Sequence, residues 1–190
     1  MASERDSDAL SAAFSHWCAH WYKLAYGEAV RVTPYTDRTD QHMRGDVRVQ
    51  DASGAGWNYD EKAFGVVWNG LLVELLQDST PNAHGKPGSL GWFYELTECD
   101  YLLCGYYRHS GAAEPAEVYR VSLRRLRAFY AKLVHTSGPT RSHAMLTDKG
   151  FGITLGAVLP WPLLLANGCV ELVYAEPIST EDDACGSPRR

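Results

Sequence analysis

The sequence predicts an α/β (α+β) domain in which a central mixed β-sheet is flanked by helices. Three observations predict it. The N-terminal segment repeats its apolar residues at helical spacing, several short aromatic and aliphatic runs read as strands, and a second helical pattern sits late in the chain between such runs.

The first helix is expected over Ser7 to Leu24, with Leu10, Phe14, Trp17, Trp21 and Leu24 on one stripe and Gly27 as its stop. His16, His20 and Lys23 lie off that stripe. Residues 28–45 read as polar and irregular. Gly45 to Gln50 alternates like a strand, Asp51 to Gly56 reads as a turn, and Trp57 to Phe64 is an aromatic-rich strand; together they predict a hairpin. Leu71 to Leu76 is a further strand interrupted by Glu74. The stretch Gln77 to Gly91, with two prolines and three glycines, is expected as a long loop. Trp92 to Leu96, Tyr101 to Tyr107 and Val118 to Val121 read as strands, with a loop over His109 to Pro115. Ser122 caps a helix running to about Val134, with Leu123, Leu126, Tyr130 and Leu133 on one face. Ile153 to Leu159 and Val170 to Tyr174 close the sheet. The expected organisation is one domain over 1–175 and a polar tail over 176–190.

Composition narrows the function. The 190 residues, 45% hydrophobic and 22% charged, suit a single domain with its own core. The richest apolar run, Ala157 to Ala166, is short and broken by Pro160 and Pro162, so no membrane span is expected. The acidic, polar N-terminus lacks the pattern of a secretion signal, which predicts a cytoplasmic protein. The five cysteines are odd in number and form no Cys-x-x-Cys pair, so free thiols are expected and structural zinc is not. A net charge of −5 gives no global attraction to nucleic acid. A carboxylate cluster beside a local basic surface remains compatible with it. His16 and His20 lack the glutamate of a zinc-hydrolase helix, Gly85-Lys86 runs into Pro87 rather than Ser or Thr, and Gly150-Phe151-Gly152 leads into a strand. No Gly-x-Ser-x-Gly elbow occurs.

The chemistry-bearing residues lie on the expected hairpin. Asp60 and Lys62 are two apart and share a strand face. Asp46 begins the preceding strand, so pairing brings it near Asp60. Two carboxylates offer hard oxygen ligands for Mg²⁺ or Mn²⁺, and Lys62 can orient a water or stabilise charge on a phosphate. Glu74, set among aliphatics, needs either a metal nearby or an edge facing water. Arg120, Arg124 and Arg127 belong to a basic cluster suited to a nucleic-acid backbone or to a solvated helix face. Trp92, Phe93 and Tyr94 suit base stacking or core packing.

Asp46 followed by Asp60-Glu61-Lys62 resembles the acid, then acid-x-Lys, pattern of the PD-(D/E)XK (restriction-endonuclease-like) nuclease superfamily. The segments Leu72-Val73-Glu74-Leu75, Gly91-Trp92-Phe93-Tyr94, Asp100-Tyr101-Leu102-Leu103 and Leu159-Pro160-Trp161 are similar to its small, phage-type members, over roughly residues 7–165. The resemblance implies a metal-dependent nuclease acting on DNA, with Asp46 and Asp60 as metal ligands, Glu74 or the helix-end acid Glu28 as further ligands, and Lys62 as the catalytic lysine. Two departures stand out: Gly45, not proline, precedes Asp46, and Glu61 lies between the acid and the lysine, its side chain expected on the opposite strand face. A homodimer is the candidate assembly. The alternative is a nuclease-like fold that binds protein or nucleic acid without cutting.

Overall fold

The computed structural model describes residues 4–65, 69–81, 87–109, 112–137, 144–148 and 153–176. In chain order the elements are α1 (Glu4–Tyr26), β1 (Arg31–Pro34), α2 (Arg38–Arg44), β2 (Val47–Gln50), β3 (Gly56–Phe64), β4 (Gly70–Pro81), β5 (Pro87–Leu90), α3 (Trp92–Glu95), β6 (Tyr101–Tyr106), β7 (Glu117–Ser122), α4 (Leu123–Ser137), β8 (Ala144–Asp148), β9 (Ile153–Pro160), α5 (Trp161–Ala166) and β10 (Val170–Ala175). Six strands form a mixed sheet in the order β1-β2-β3-β6-β7-β10, and four form a second sheet in the order β5-β4-β9-β8. Within the first sheet, β3 and β6 run parallel and the other neighbours antiparallel. The mixed α/β class is as the sequence predicts, with helices against a mixed sheet.

Strand alternation splits the core into two layers. On one face of the six-stranded sheet, α1 buries Leu10, Phe14, Cys18 and Tyr22 against Val49, Tyr59, Leu103 and Val118. On the other face, Leu102, Cys104, Tyr106 and Val121 meet Leu71, Val73 and Leu159 of the second sheet, together with Phe93, Leu126 and Leu164. The buried stripe of α1 therefore recurs every fourth residue. Trp17 and Trp21 lie at its margin, and Leu24 is 71% exposed, outside it. Aromatic residues on two adjoining helix faces masked the true seam. Gly27, at φ +90°, ends the helix with its N–H on the Lys23 carbonyl at 2.8 Å.

Several segments differ from their sequence expectation. Residues 28–45 hold β1 and α2 rather than irregular chain. α2 buries no residue and so carries no apolar periodicity; it starts because the Asp37 carboxylate accepts the Thr39 and Asp40 N–H groups. Trp92–Glu95 is a helical turn, not a strand, since four residues are too few for a period and Gly91 lets the chain turn off β5. The expected loop over 77–91 holds the end of β4 and all of β5. Its prolines, Pro81 and Pro87, sit at strand ends, where a missing N–H disturbs the ladder least. Ser122 precedes α4 as expected, its hydroxyl accepting the Arg125 N–H at 3.5 Å. Glu176, where the tail was expected to begin, donates its N–H to Ala116 and pairs with Arg108 at 3.0 Å. Residues 177–190, with Cys185, lie outside the described residues, as do 82–86 and 149–152, where the other two glycine motifs fall. Among the described residues no helix is long and apolar enough to cross a membrane.

Candidate functional site

β2 begins at Val47, opposite Tyr59, while β3 continues to Phe64. Residues 60–64 thus have a strand partner on the β6 side alone, and their other backbone edge needs acceptors. Asp46 supplies one: its Oδ2 accepts the Glu61 N–H at 2.7 Å. The Asp46 backbone is fixed at both ends, its N–H on the Tyr59 carbonyl and its own carbonyl on the Tyr35 N–H, each at 2.8 Å. α2 anchors this corner through Arg44, which pairs with Glu98 at 2.8 Å and with Asp40 at 3.0 Å.

Gly45 makes the close approach feasible. Its φ is +88°, and a Cβ there would stand 2.6 Å from the Tyr59 carbonyl oxygen and 2.9 Å from the Asp60 Cα. A proline ring holds φ near about −65°. Proline is therefore excluded from this position, which accounts for the glycine before the first acid.

Asp60 and Lys62 point toward the second sheet, and Glu61 points toward α1, as alternation requires. Asp60 is 7% exposed. The Lys62 Nζ lies 2.6 Å from its Oδ2 and 5.8 Å from the centre of the Trp92 ring. Lys62 is thus the partner of that buried oxygen. Burial works against the Lys62 charge, but Asp60 and Asp46 outweigh it and hold the ammonium above its ordinary pKa. Burial and then the neighbouring Asp60 charge raise Asp46 to about 6. Burial likewise raises Glu61 to about 7, against the lowering effect of hydrogen bonds from Ser15 and Tyr22. The Tyr22 hydroxyl donates to Glu61 Oε1 at 3.1 Å. Asp46 and Glu61 line a cleft of about 380 Å³ between α1, α2 and β1, with Ser15, Tyr22, Tyr35 and Gln41.

The other expected site residues are dispersed. Glu74 lies on β4, its Cγ 2.9 Å from where a Cβ on Gly91 would be, and so backs the turn that presents Trp92 to Lys62. Among the described residues, no three His, Cys, Asp or Glu side chains converge as metal ligands. Glu74 is therefore not gathered with Asp46 and Asp60 into a three-ligand set. Glu28 falls beyond the end of α1 and is exposed. Arg120, on β7, bonds Glu171 at 2.8 Å and the Tyr26 hydroxyl at 3.3 Å, and its guanidinium lies 5.1 Å from the centre of the Tyr101 ring. Arg124 is exposed in the first turn of α4. Arg127 is turned inward: it donates to the Phe93 carbonyl at 3.0 and 3.1 Å and to the Leu96 carbonyl at 2.6 Å. Those bonds satisfy the last carbonyls of α3 and occupy the guanidinium. Of the aromatic trio, Phe93 is core, Trp92 carries Lys62, and Tyr94 is 48% exposed.

Sequence reasoning placed Glu61 on the opposite face but did not count it among the functional acids. The signal was Ser15 and Tyr22, two helical turns apart on α1, a hydroxyl beside the apolar seam and another within it, aligned to meet a carboxylate. No family model matches the chain, and neither a curated protein nor a solved structure gives a significant match.

Proposed function

We propose that this chain is a metal-dependent nuclease of the PD-(D/E)XK type that hydrolyses phosphodiester bonds of DNA at Asp46, Asp60 and Lys62. The observation that carries the reading is the hairpin register. It sets Asp46 beside Asp60 at the one place where β3 outruns β2, with Lys62 on the buried Asp60 carboxylate at 2.6 Å. Two acids set side by side and largely out of water share this one lysine, and a divalent cation would supply the positive charge that a single ammonium leaves short.

The donor set fits Mg²⁺ or Mn²⁺. Magnesium is held by one or two carboxylates, with water and substrate phosphate filling the other positions, so Asp46 and Asp60 suffice. A cation bound there polarises the phosphate and lowers the pKa of a coordinated water. The chain's own residues do the rest. Asp46 is fixed by the Glu61 N–H and so presents its remaining oxygen in a set direction. Lys62, held as an ammonium by its two acids, is a donor rather than a base, and it stabilises the charge that builds on the phosphate. Glu61, raised to about 7 and set beside Asp46, can hold a proton at neutral pH.

Cleavage of supercoiled and linear DNA in Mg²⁺, Mn²⁺ or EDTA tests this, with wild type beside Asp60→Asn and Lys62→Ala. The expected result is metal-dependent cutting that falls by roughly 10²-fold or more in each variant. Folded Asp60→Asn protein cutting at the wild-type rate overturns the assignment. Folded wild type that cuts no DNA or RNA substrate transfers the reading to a binding module on the same fold.

A further inference from the structure

The α1 side of the six-stranded sheet carries a second concavity, of about 560 Å³, beyond the end of α1. Its floor is aromatic. Trp57 is backed by Tyr26 at 4.9 Å between ring centres, and Tyr101 is backed by Tyr59 at 5.2 Å. Its wall is cationic, formed by Arg120, Arg124 and Arg125. The two acids that also line it are engaged already: Glu171 holds Arg120, and Asp100 accepts the Asn58 N–H at 2.9 Å. Arg125 bonds the Gly168 carbonyl at 3.0 Å, while Arg124 makes no ion pair or hydrogen bond among the described residues. The positive end of the 15-residue helix α4 opens on the same groove through Ser122, Arg124 and Arg125, adding to the field an anion meets there.

Cations alone would suit any phosphate backbone. A rigid ring pair among them suits unpaired bases, whose faces are free to stack.

We propose that this groove binds a single-stranded stretch of nucleic acid, with Arg124 and Arg125 on phosphates and a base stacked on Trp57. Resting on the nuclease reading above, it makes the preferred substrate one with an unpaired segment near the cut, such as a flap, a tail or a displaced strand.

The test is fluorescence anisotropy of labelled oligothymidine and of a duplex of equal length, in EDTA across a salt series. The proteins are wild type, Arg124→Ala and Trp57→Leu. Single strand is expected to bind more tightly than duplex. Arg124→Ala, exposed and safe for folding, should weaken binding several-fold and lower the slope of log affinity against log salt by about 0.7. Trp57→Leu should weaken single-strand binding about tenfold or more and duplex binding little. Equal affinity for the two forms, absent binding to single strand, or wild-type affinity and slope in both groove variants overturns the proposal. The readout needs no metal, so binding with these dependences stands even if no DNA is cut. Metal-dependent cutting of tailed substrates that is indifferent to Arg124→Ala sinks the groove and leaves the nuclease intact.

Discussion

Gly45 is where backbone geometry and the candidate site meet, and Gly45→Ala is the sharpest perturbation of both. Two costs are expected. A non-glycine residue at φ +88°, ψ −157°, a region essentially confined to glycine, pays about 1–3 kcal/mol. The new Cβ would also stand 2.6–2.9 Å from the Tyr59 carbonyl and the Asp60 Cα. Backbone on both sides cannot yield as a side-chain tip can, so overpacking adds about 1–3 kcal/mol. The sum is about 2–6 kcal/mol. Gly27→Ala is the positive-φ control, because Gly27 has φ +90° and nothing within 4 Å of its would-be Cβ. It bears the conformational cost alone, and any gain from a stiffer unfolded chain is common to both variants. Urea unfolding of the two proteins measures the difference directly. Relief of the clash separates β2 from β3, so the Glu61 amide should also exchange its hydrogen faster in Gly45→Ala. Equal destabilisation of the two variants would show that the corner relaxes freely, and the argument that Gly45 holds Asp46 against β3 would fail.

Two further outcomes follow from the same contacts. Asp46 and Glu61 have folded pKa values of about 6 and about 7, above the 3.8 and 4.5 of the free groups, so between roughly pH 4 and 7 the native state holds more protons than the unfolded chain. Metal-free protein should therefore lose stability from these groups as pH rises through that window, by about 3 kcal/mol at most for Asp46 at 1.36 kcal/mol per unit. Urea midpoints in EDTA at a series of pH values should show Asp46→Asn gaining on wild type toward pH 8; an unchanged difference across the window refutes it. Arg127→Ala strands the carbonyls of Phe93 and Leu96, so it should cost about 2–4 kcal/mol in unfolding while leaving DNA affinity unaltered. Weaker DNA binding by the folded variant would return Arg127 to the nucleic-acid surface.

Much of the site was legible because it rests on strand alternation. The period of two puts Asp60 and Lys62 together and Glu61 opposite, and a short turn sets Asp46 across from Asp60 without reference to the rest of the chain. What escaped depends on contacts distant in sequence. Arg127 looks like any surface arginine until α3 ends against it, and Trp92–Glu95 looks like a strand until Gly91 turns the chain. α2 buries nothing, so hydrophobic pattern could not announce it. The split into two sheets is equally invisible locally, because β4, β5, β8 and β9 read as strands or loop without saying which neighbour each will find.

The parallel pairing of β3 with β6 gives the domain an order of assembly. The β2–β3 hairpin closes across a short turn, whereas Asn58 reaches Asp100 across 42 residues that include β4, β5 and α3. Loop-closure entropy grows as the logarithm of length, so the hairpin is the cheaper contact by about 1 kcal/mol before any side chain is buried. The acids thus come together while water still surrounds them, and their mutual repulsion is small at that stage. It becomes large when β6 docks and the second sheet covers Asp60. The cost of gathering charge therefore falls on that docking step and not on the hairpin.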